Sequence, residues 1–583
     1  MNSLFSSRTT IDFPHCISHL DVYLAFFIPT HCVLILHHTH THTDLMHHVP
    51  WYGPLYLEAY KLERDTDNPA EALAIVERGL GEIPRYGPLW FGAFRLCEGM
   101  DLDEGSFHLP RTMKMIARAQ SSISRELLWK VHLEAAQAME RAAVMFCEAN
   151  PNDSLDVHLK RSRTRFAKAA VSCPPNLVWK VWLAGGKMEL TAGRFDIART
   201  LFHRASDNVP EKGRSAVFLE HARLEEFVGN MELARAILCK ARHDASSDWK
   251  IWLESVNVEI RCKMYNRAAR IACEALKIHT GTGRLWAALV QLRHREGEEA
   301  QLRALRQSLR AVPKSGEVWG EGARVHLNPF SPMFDLERAD QHLIFATKFT
   351  PQYGDSFLET LRLELMQKWV VPGVQAFIDG MEMRLKSPSV VNDRDVYSIV
   401  GEYARVAATT LKSNLLRLDD VKKIDTYSLE LRCSNADPNY GKLWFRCRTQ
   451  PADTARNVLI RAKFMFAEDL AKYSHIYVTA ILRRIGAAFL LEKEIAARDD
   501  LSIEKRSFEW DTMLDDRVRN GPTLGELMTD QNGMAFLDDA ISGADFTSGL
   551  FDANGPEVLE SLSLTERRKL LFGSDLLLSW KSP

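Results

Sequence analysis

The sequence predicts an all-α protein, a right-handed superhelical α-solenoid of antiparallel helix pairs. Three observations carry that expectation. A five-residue phrase, Tyr-Gly-x-x-aromatic, recurs at residues 52–56, 86–90, 353–357 and 440–444. Aromatics form a ladder, Tyr56, Trp90, Trp129, Trp182, Phe218, Trp252, Trp286, Trp319 and Phe357, with steps of 36, 34, 34, 33 and 38 residues from Trp182 onward. A fixed period of that length marks stacked repeats, each with room for two short helices and two turns. Each period also repeats one internal grammar.

Helix A opens the unit. It carries the ladder aromatic and often a glutamate seven residues on, as in Trp182/Glu189, Phe218/Glu225, Trp252/Glu259 and Phe357/Glu364. Two turns apart, the pair shares one helix face. A turn follows, "TAGRF" or "FVGNM", with glycine to permit it. Helix B then reads Ala-Arg near its start and Ala later, in "ARTLFHRA" (198–205), "ARAILCKA" (234–241) and "ARIACEA" (269–275). Small alanines let two helices approach while the aromatic fills the neighbouring gap. Pro84, Pro210, Pro313 and Pro351 end helix B, because proline cannot continue it. The recurrent phrase is therefore a boundary between units. Its tyrosine packs back on the preceding unit, its glycine permits the turn, and its aromatic enters the core.

Composition agrees with a core-forming soluble chain: 583 residues, 46% hydrophobic and 26% charged. Net charge is -2, yet residues 499–560 hold 15 acidic and 4 basic side chains, leaving a mildly basic body and an acidic tail. Ten cysteines show no CxxC pair, as expected of free thiols in a reducing compartment. An apolar run at 22–36, broken by Pro29 and His31, is too short to span a bilayer. The histidines that follow it (His37, His38, His40, His42, His47, His48) are metal-binding in type. A biased extension with no resident metal is the expectation for them. The expected organisation is a His-rich disordered extension over 1–48 and a repeat array over 49–366. A further helical region over 367–470 holds a repeat-like unit near 440–462, and a helical, acidic, partly disordered tail covers 471–583.

Chemistry is sought and not found. "HTGTGRLW" (279–286) precedes no GK[ST] and falls in repeat phase, so it reads as a turn rather than a phosphate loop. "AGGKME" (184–189) lies within a helix A. Glutamates spaced one per repeat stand too far apart for acid–base catalysis. They read as ion-pair partners of Arg199, Arg235 and Arg270. No catalytic, cofactor or metal residue is assigned, and the protein is read as no enzyme. Lys160, Arg161, Arg163, Arg165 and Lys168 form the one basic run able to touch RNA phosphates, although its spacing equally suits a solvated helix.

The aromatic-rich helix A, "ARxLFxRA" and terminal proline resemble the half-a-tetratricopeptide (HAT) repeat, from about residue 50 to 366. "YGKLWFRCRTQPADTARNVLIRA" (440–462), with core aromatic Trp444, resembles one more unit. "AVPKSGEVWGEGARVHL" (311–327) followed by "ERADQHLIFATKFTPQYGDSFLETLRLEL" (337–365) resembles the pre-mRNA-processing factor 6 splicing-factor family, apart from Ser356-Phe357 in place of its aliphatic-Trp pair. The resemblance implies a nuclear, non-enzymatic scaffold in pre-mRNA splicing. Its partners would be other spliceosomal snRNP proteins, with RNA mainly indirect, no membrane, and a homodimer allowed because some HAT proteins pair through their helices. A cleavage-and-polyadenylation or ribosomal-RNA-processing subunit, or a direct RNA-binding module, stands as the alternative.

Overall fold

The four prolines expected to close a helix B follow one in the structure: helices ending at Glu82, Asn208, Ala311 and Phe349 stop two residues short of Pro84, Pro210, Pro313 and Pro351. The computed structural model describes residues 46–66, 68–414, 423–449, 453–497 and 503–529. Every regular element among them is helical, apart from one isolated parallel bridge between Tyr353 and Tyr440. The chain forms two compact units, divided after Glu134.

The first unit holds α1 (Gly53–Asp65), α2 (Pro69–Glu82), α3 (Gly87–Asp103), α4 (Pro110–Ser122) and the first turns of α5 (Leu128–Ala149). Description begins just ahead of the expected residue 49, and Met46 is already buried. Prolines in the first turns of α1 and α3 supply a preset φ where no donor is needed. The Tyr86 ring lies on Gly53, where a Cβ would come within 2.6 Å of it. The tyrosine of one phrase thus packs on the glycine of the phrase before. Asp101 anchors α4 by accepting from the Thr112 backbone N–H at 3.0 Å and from its hydroxyl at 2.8 Å.

In the second unit the B helices α6 (Lys160–Ser172), α8 (Phe195–Asn208), α10 (Met231–Asp244), α12 (Tyr265–Ile278), α14 (Glu298–Ala311) and α16 (Leu336–Phe349) alternate with A helices. The latter are α7 (Val178–Thr191), α9 (Arg214–Val228), α11 (Trp249–Arg261), α13 (Gly283–Arg293), α15 (Gly316–Leu327) and α17 (Gly354–Leu365). Each B helix buries one i, i+4, i+7 stripe: Ala198, Phe202 and Ala205, then Ala234, Leu238 and Ala241, then Ala268, Ala272 and Ala275. The A-to-B turn uses a left-handed residue, Gly193 (φ 73) and Gly229 (φ 94), which only glycine adopts freely. Lys263 (φ 59) takes the same place in the next repeat.

The pattern changes at α17. Instead of turning, that helix continues through a π-helical turn, Met366–Val370, into α18 (Val371–Leu385). Pro372, without an N–H, cannot extend the α ladder there, and the wider turn absorbs the break. The partner of α17 comes from further along the chain, as α22 (Ala455–Ala497), after α19 (Asp393–Asn414), α20 (Tyr427–Ala436) and α21 (Lys442–Cys447). Phe357, Leu361 and Leu365 share one core with Trp444, Leu459, Ala462, Phe466 and Tyr477. Helix α22 crosses residue 470 unbroken, so no structural division falls there. It is long and apolar enough to cross a membrane, but 72% of that apolar window is buried within the protein, as befits a core helix. Two further helices, α23 (Ile503–Asn520) and α24 (Leu524–Met528), pack against it. Of the expected tail, residues 498–502 and 530–583 lie outside the described residues, as do the histidines up to His42.

Candidate interaction surface

Tryptophan is chosen in the ladder for its N–H as well as its bulk. Four indoles donate from Nε1 to the carbonyl six residues upstream: Trp90 to Pro84 at 2.8 Å, Trp252 to Ser246 at 3.0 Å, Trp286 to Thr280 at 2.8 Å, and Trp319 to Pro313 at 2.8 Å. Each bond ties helix A to the turn that precedes it. Sequence reasoning missed this device, though the Pro84/Trp90 and Pro313/Trp319 spacing shows it. Of the predicted core aromatics, Tyr56, Trp90, Trp129, Trp252, Trp286, Phe357 and Trp444 are buried. Trp182, Phe218 and Trp319 are half-buried.

The glutamates pair with arginines as expected at two positions. Arg199 donates from Nε and Nη2 to the two carboxylate oxygens of Glu225 at 2.9 and 3.1 Å, and Arg235 likewise to Glu259 at 3.2 and 3.1 Å. Such forked pairs fix orientation as well as charge. They join each helix B to the following helix A. Arg270 is exposed instead, and Arg267 reaches Glu259 at 3.1 Å. Glu364 bonds Lys368 on the continuation of its own helix at 2.8 Å. From the predicted basic run, Arg163 belongs to this structural set, forked onto Glu189 at 2.8 and 2.9 Å. Lys160, Arg161 and Lys168 face solvent, while Arg165 is half-buried and burial lowers its pKa.

A second row of charges joins successive A helices to one another. Lys187 meets Glu220 at 2.9 Å, Arg223 meets Glu254 at 3.3 Å, Arg261 meets Glu226 at 2.8 Å, and Arg284 meets Glu317 at 3.4 Å. Burial works against the Glu254 carboxylate, but Arg223 and Arg261 outweigh it and lower its pKa to about 2. Lys187, which sits in the "AGGKME" stretch, is thus an ion-pair partner in an A helix.

The row ends in a buried box. Arg324 reaches Glu359 at 2.9 Å and Glu321 at 3.1 Å, and Arg362 reaches Glu359 at 2.8 Å. Burial pushes the Glu359 carboxyl up, yet Arg362 and Arg324 together hold it below the usual carboxylate range. Over this box two of the boundary phrases clasp each other. Gly354 N–H donates to the Tyr440 carbonyl at 2.6 Å, Tyr440 N–H to the Gln352 carbonyl at 3.1 Å, and Trp444 N–H to Asp355 Oδ1 at 2.8 Å. Gly354 is needed because a Cβ there would come 2.5 Å from the Trp444 ring. The Arg284 guanidinium lies over Tyr440 at 5.1 Å, Trp249 at 5.6 Å and Tyr353 at 5.9 Å, within cation–π range of all three.

This arrangement pairs the charges of the A helices with one another within the chain. Among the described residues no cluster of three His, Cys, Asp or Glu side chains could hold a metal. A family model, PRP6, TPR-like domain, matches residues 39–463, ending shortly after α22 begins. A TPR-containing protein of Dictyostelium discoideum is 42% identical over 424 residues, 73% of this chain and 27% of that protein. The chain spans about a quarter of the length of the curated relative it matches. Repeat period, helix pairing, ion-pair register and this match agree: the chain belongs to the PRP6 TPR-like family.

Proposed function

We propose that the protein is a non-enzymatic scaffold for protein–protein contacts in pre-mRNA splicing, acting in the nucleus during snRNP assembly. The observation that carries the reading is the family match, which covers the repeats and the buried clasp together. The physical support is that no single repeat can bury its apolar face, so neighbours stack and leave a continuous surface for partner segments. The ion pairs between helices from α7 to α17 help hold neighbouring repeats in register, so that a partner meets a surface of fixed shape. The test is affinity purification from nuclear extract with and without ribonuclease, read by mass spectrometry. Recovery of tri-snRNP proteins that survives ribonuclease is expected. Recovery of polyadenylation or ribosomal-processing subunits instead would overturn the splicing assignment.

A direct RNA contact has one observation in its favour, the exposure of Lys160, Arg161 and Lys168 on α6. Affinity for RNA would then fall steeply with salt. Replacing the three by glutamine would flatten that slope.

A further inference from the structure

Arg362, buried in the closing region, meets the Glu359 carboxylate at 2.8 Å. Arg483 on α22 is also buried, only 6% exposed, but is held differently. Its Nη2 donates to the Val518 carbonyl of α23 at 2.6 Å, while its Nε has no hydrogen-bond partner among the described residues. Burial lowers its pKa, and Tyr397, Glu298 and Glu526 favour its charge only through space. Those carboxylates are engaged elsewhere: Glu298 pairs with Arg519 at 3.8 Å, and Glu526 accepts from the Thr523 N–H at 2.7 Å. Buried charges are ordinarily paired. Among the described residues, Arg483 keeps one N–H and a net charge without a direct counterpart.

Arg483 lines a small cavity between α22, α23 and the loop joining α15 to α16. Phe334, Ala480 and Val518 give it apolar walls, and Pro329 and Pro332 bring no N–H. A water-sized sphere can move its centre through about 10 Å³ there, room for one small ligand. Ser331, buried in the same wall, supplies a second donor. Its Oγ accepts from the Met333 N–H at 3.2 Å, which leaves the hydroxyl proton to give. Arg484 also borders the cavity but is committed to Asp335 at 2.7 Å, Asp515 at 3.1 Å and the Pro332 carbonyl at 3.3 Å. The carbonyls of Pro332 and Val518 are thus already bonded to arginines. A water would need acceptors for its own protons, whereas an anion needs only donors. One uncompensated positive charge and this volume fit a monatomic monovalent anion, and exclude the larger sulfate or phosphate.

We propose that the Arg483 Nε–H and the Ser331 hydroxyl hold a halide ion of the chloride class. Bound there, it neutralises Arg483 and pins α23 and the 328–335 loop to α22, adding a small-ion clip to the long-range closure. The proposal stands independently of the splicing assignment.

The test uses the full chain, with sodium chloride replacing sodium gluconate at constant pH and ionic strength. A ligand that binds only the folded state raises the thermal midpoint, here by about 2 °C over a roughly hundredfold rise in chloride. Sodium bromide should act in the same way. Ser331→Ala, which removes one donor to the ion, should need about tenfold more chloride for the same rise. Arg483→Met should lose the response, with its helical circular dichroism unchanged. A midpoint indifferent to chloride, or a response that either variant leaves intact, would overturn the proposal. As a second measurement, crystals grown in bromide should give an anomalous-scattering peak within hydrogen-bond distance of Arg483 Nε and Ser331 Oγ. A water at that position, or bromide bound only elsewhere, would contradict it.

Discussion

The repeats from α7 to α14 and the closing region from α15 to α22 use the same parts in different ways. In the repeats the junctions are local: at Trp252 and Trp286 an indole N–H caps the turn behind it, at Arg199 and Arg235 an arginine of helix B forks onto the next glutamate, and alanines set the spacing. At the close, α17 lacks a sequential partner, and the missing helix returns from about ninety residues downstream. The boundary phrase, which elsewhere starts a unit, is used twice there, with one copy hydrogen-bonded to the other. Local grammar can be repeated at will. Ending it takes a long-range contact.

That contrast can be broken most severely at Arg324. Arg324→Met leaves Glu359, Glu321 and Asp355 in a buried site without their shared cation, which typically costs about 3–5 kcal/mol. Denaturant unfolding of the variant should show that loss. The equivalent change at the partly exposed Arg199 should cost visibly less.

Acid should act at the same end of the molecule. His326 is buried, bonds the Met333 carbonyl at 2.9 Å and faces His342. Burial, reinforced by His342, lowers its pKa from 6.5 to about 3. Between those values the unfolded chain takes up a proton that the folded chain refuses, so stability is present above pH 6.5 and is lost as pH falls towards 3. The difference in denaturant midpoint between pH 7 and pH 4.5 is expected to shrink in His326→Gln.

Two turn glycines sharpen the comparison further. Gly354→Ala places a methyl group against the Trp444 indole, overpacking that should cost about 1–3 kcal/mol. Gly281→Ala meets nothing within 4 Å and should stay within about 0.5 kcal/mol of the native protein. Thermal unfolding of the pair reads both. Between those two, Trp286→Phe removes the bond to Thr280 and should cost about 0.5–1.5 kcal/mol. Lys263→Gly relieves a left-handed side chain and is expected to stabilise by about 1 kcal/mol.

Sequence alone carried the repeats well, because their signals are local. Ladder aromatics, alanine stripes and terminal prolines act within one period, and Arg199 and Arg235 found their glutamates as the spacing implied. Three features were hidden for physical reasons. Lys263 carries a left-handed turn that glycine would have announced. The basic run around Arg163 gives only helical spacing, which does not tell that Arg163 turns inward to Glu189. The partner of α17 is set by tertiary packing of Phe357 against α22, far away in the chain, so no local pattern names it.

Native-state hydrogen exchange tests the long-range closure most directly. The account predicts that amides of α17, α21 and α22 open together with one free energy, and that Gly354→Ala lowers all three equally while α7 to α10 keep their own values. Independent exchange of α22, with Gly354→Ala felt only in α17, would contradict it.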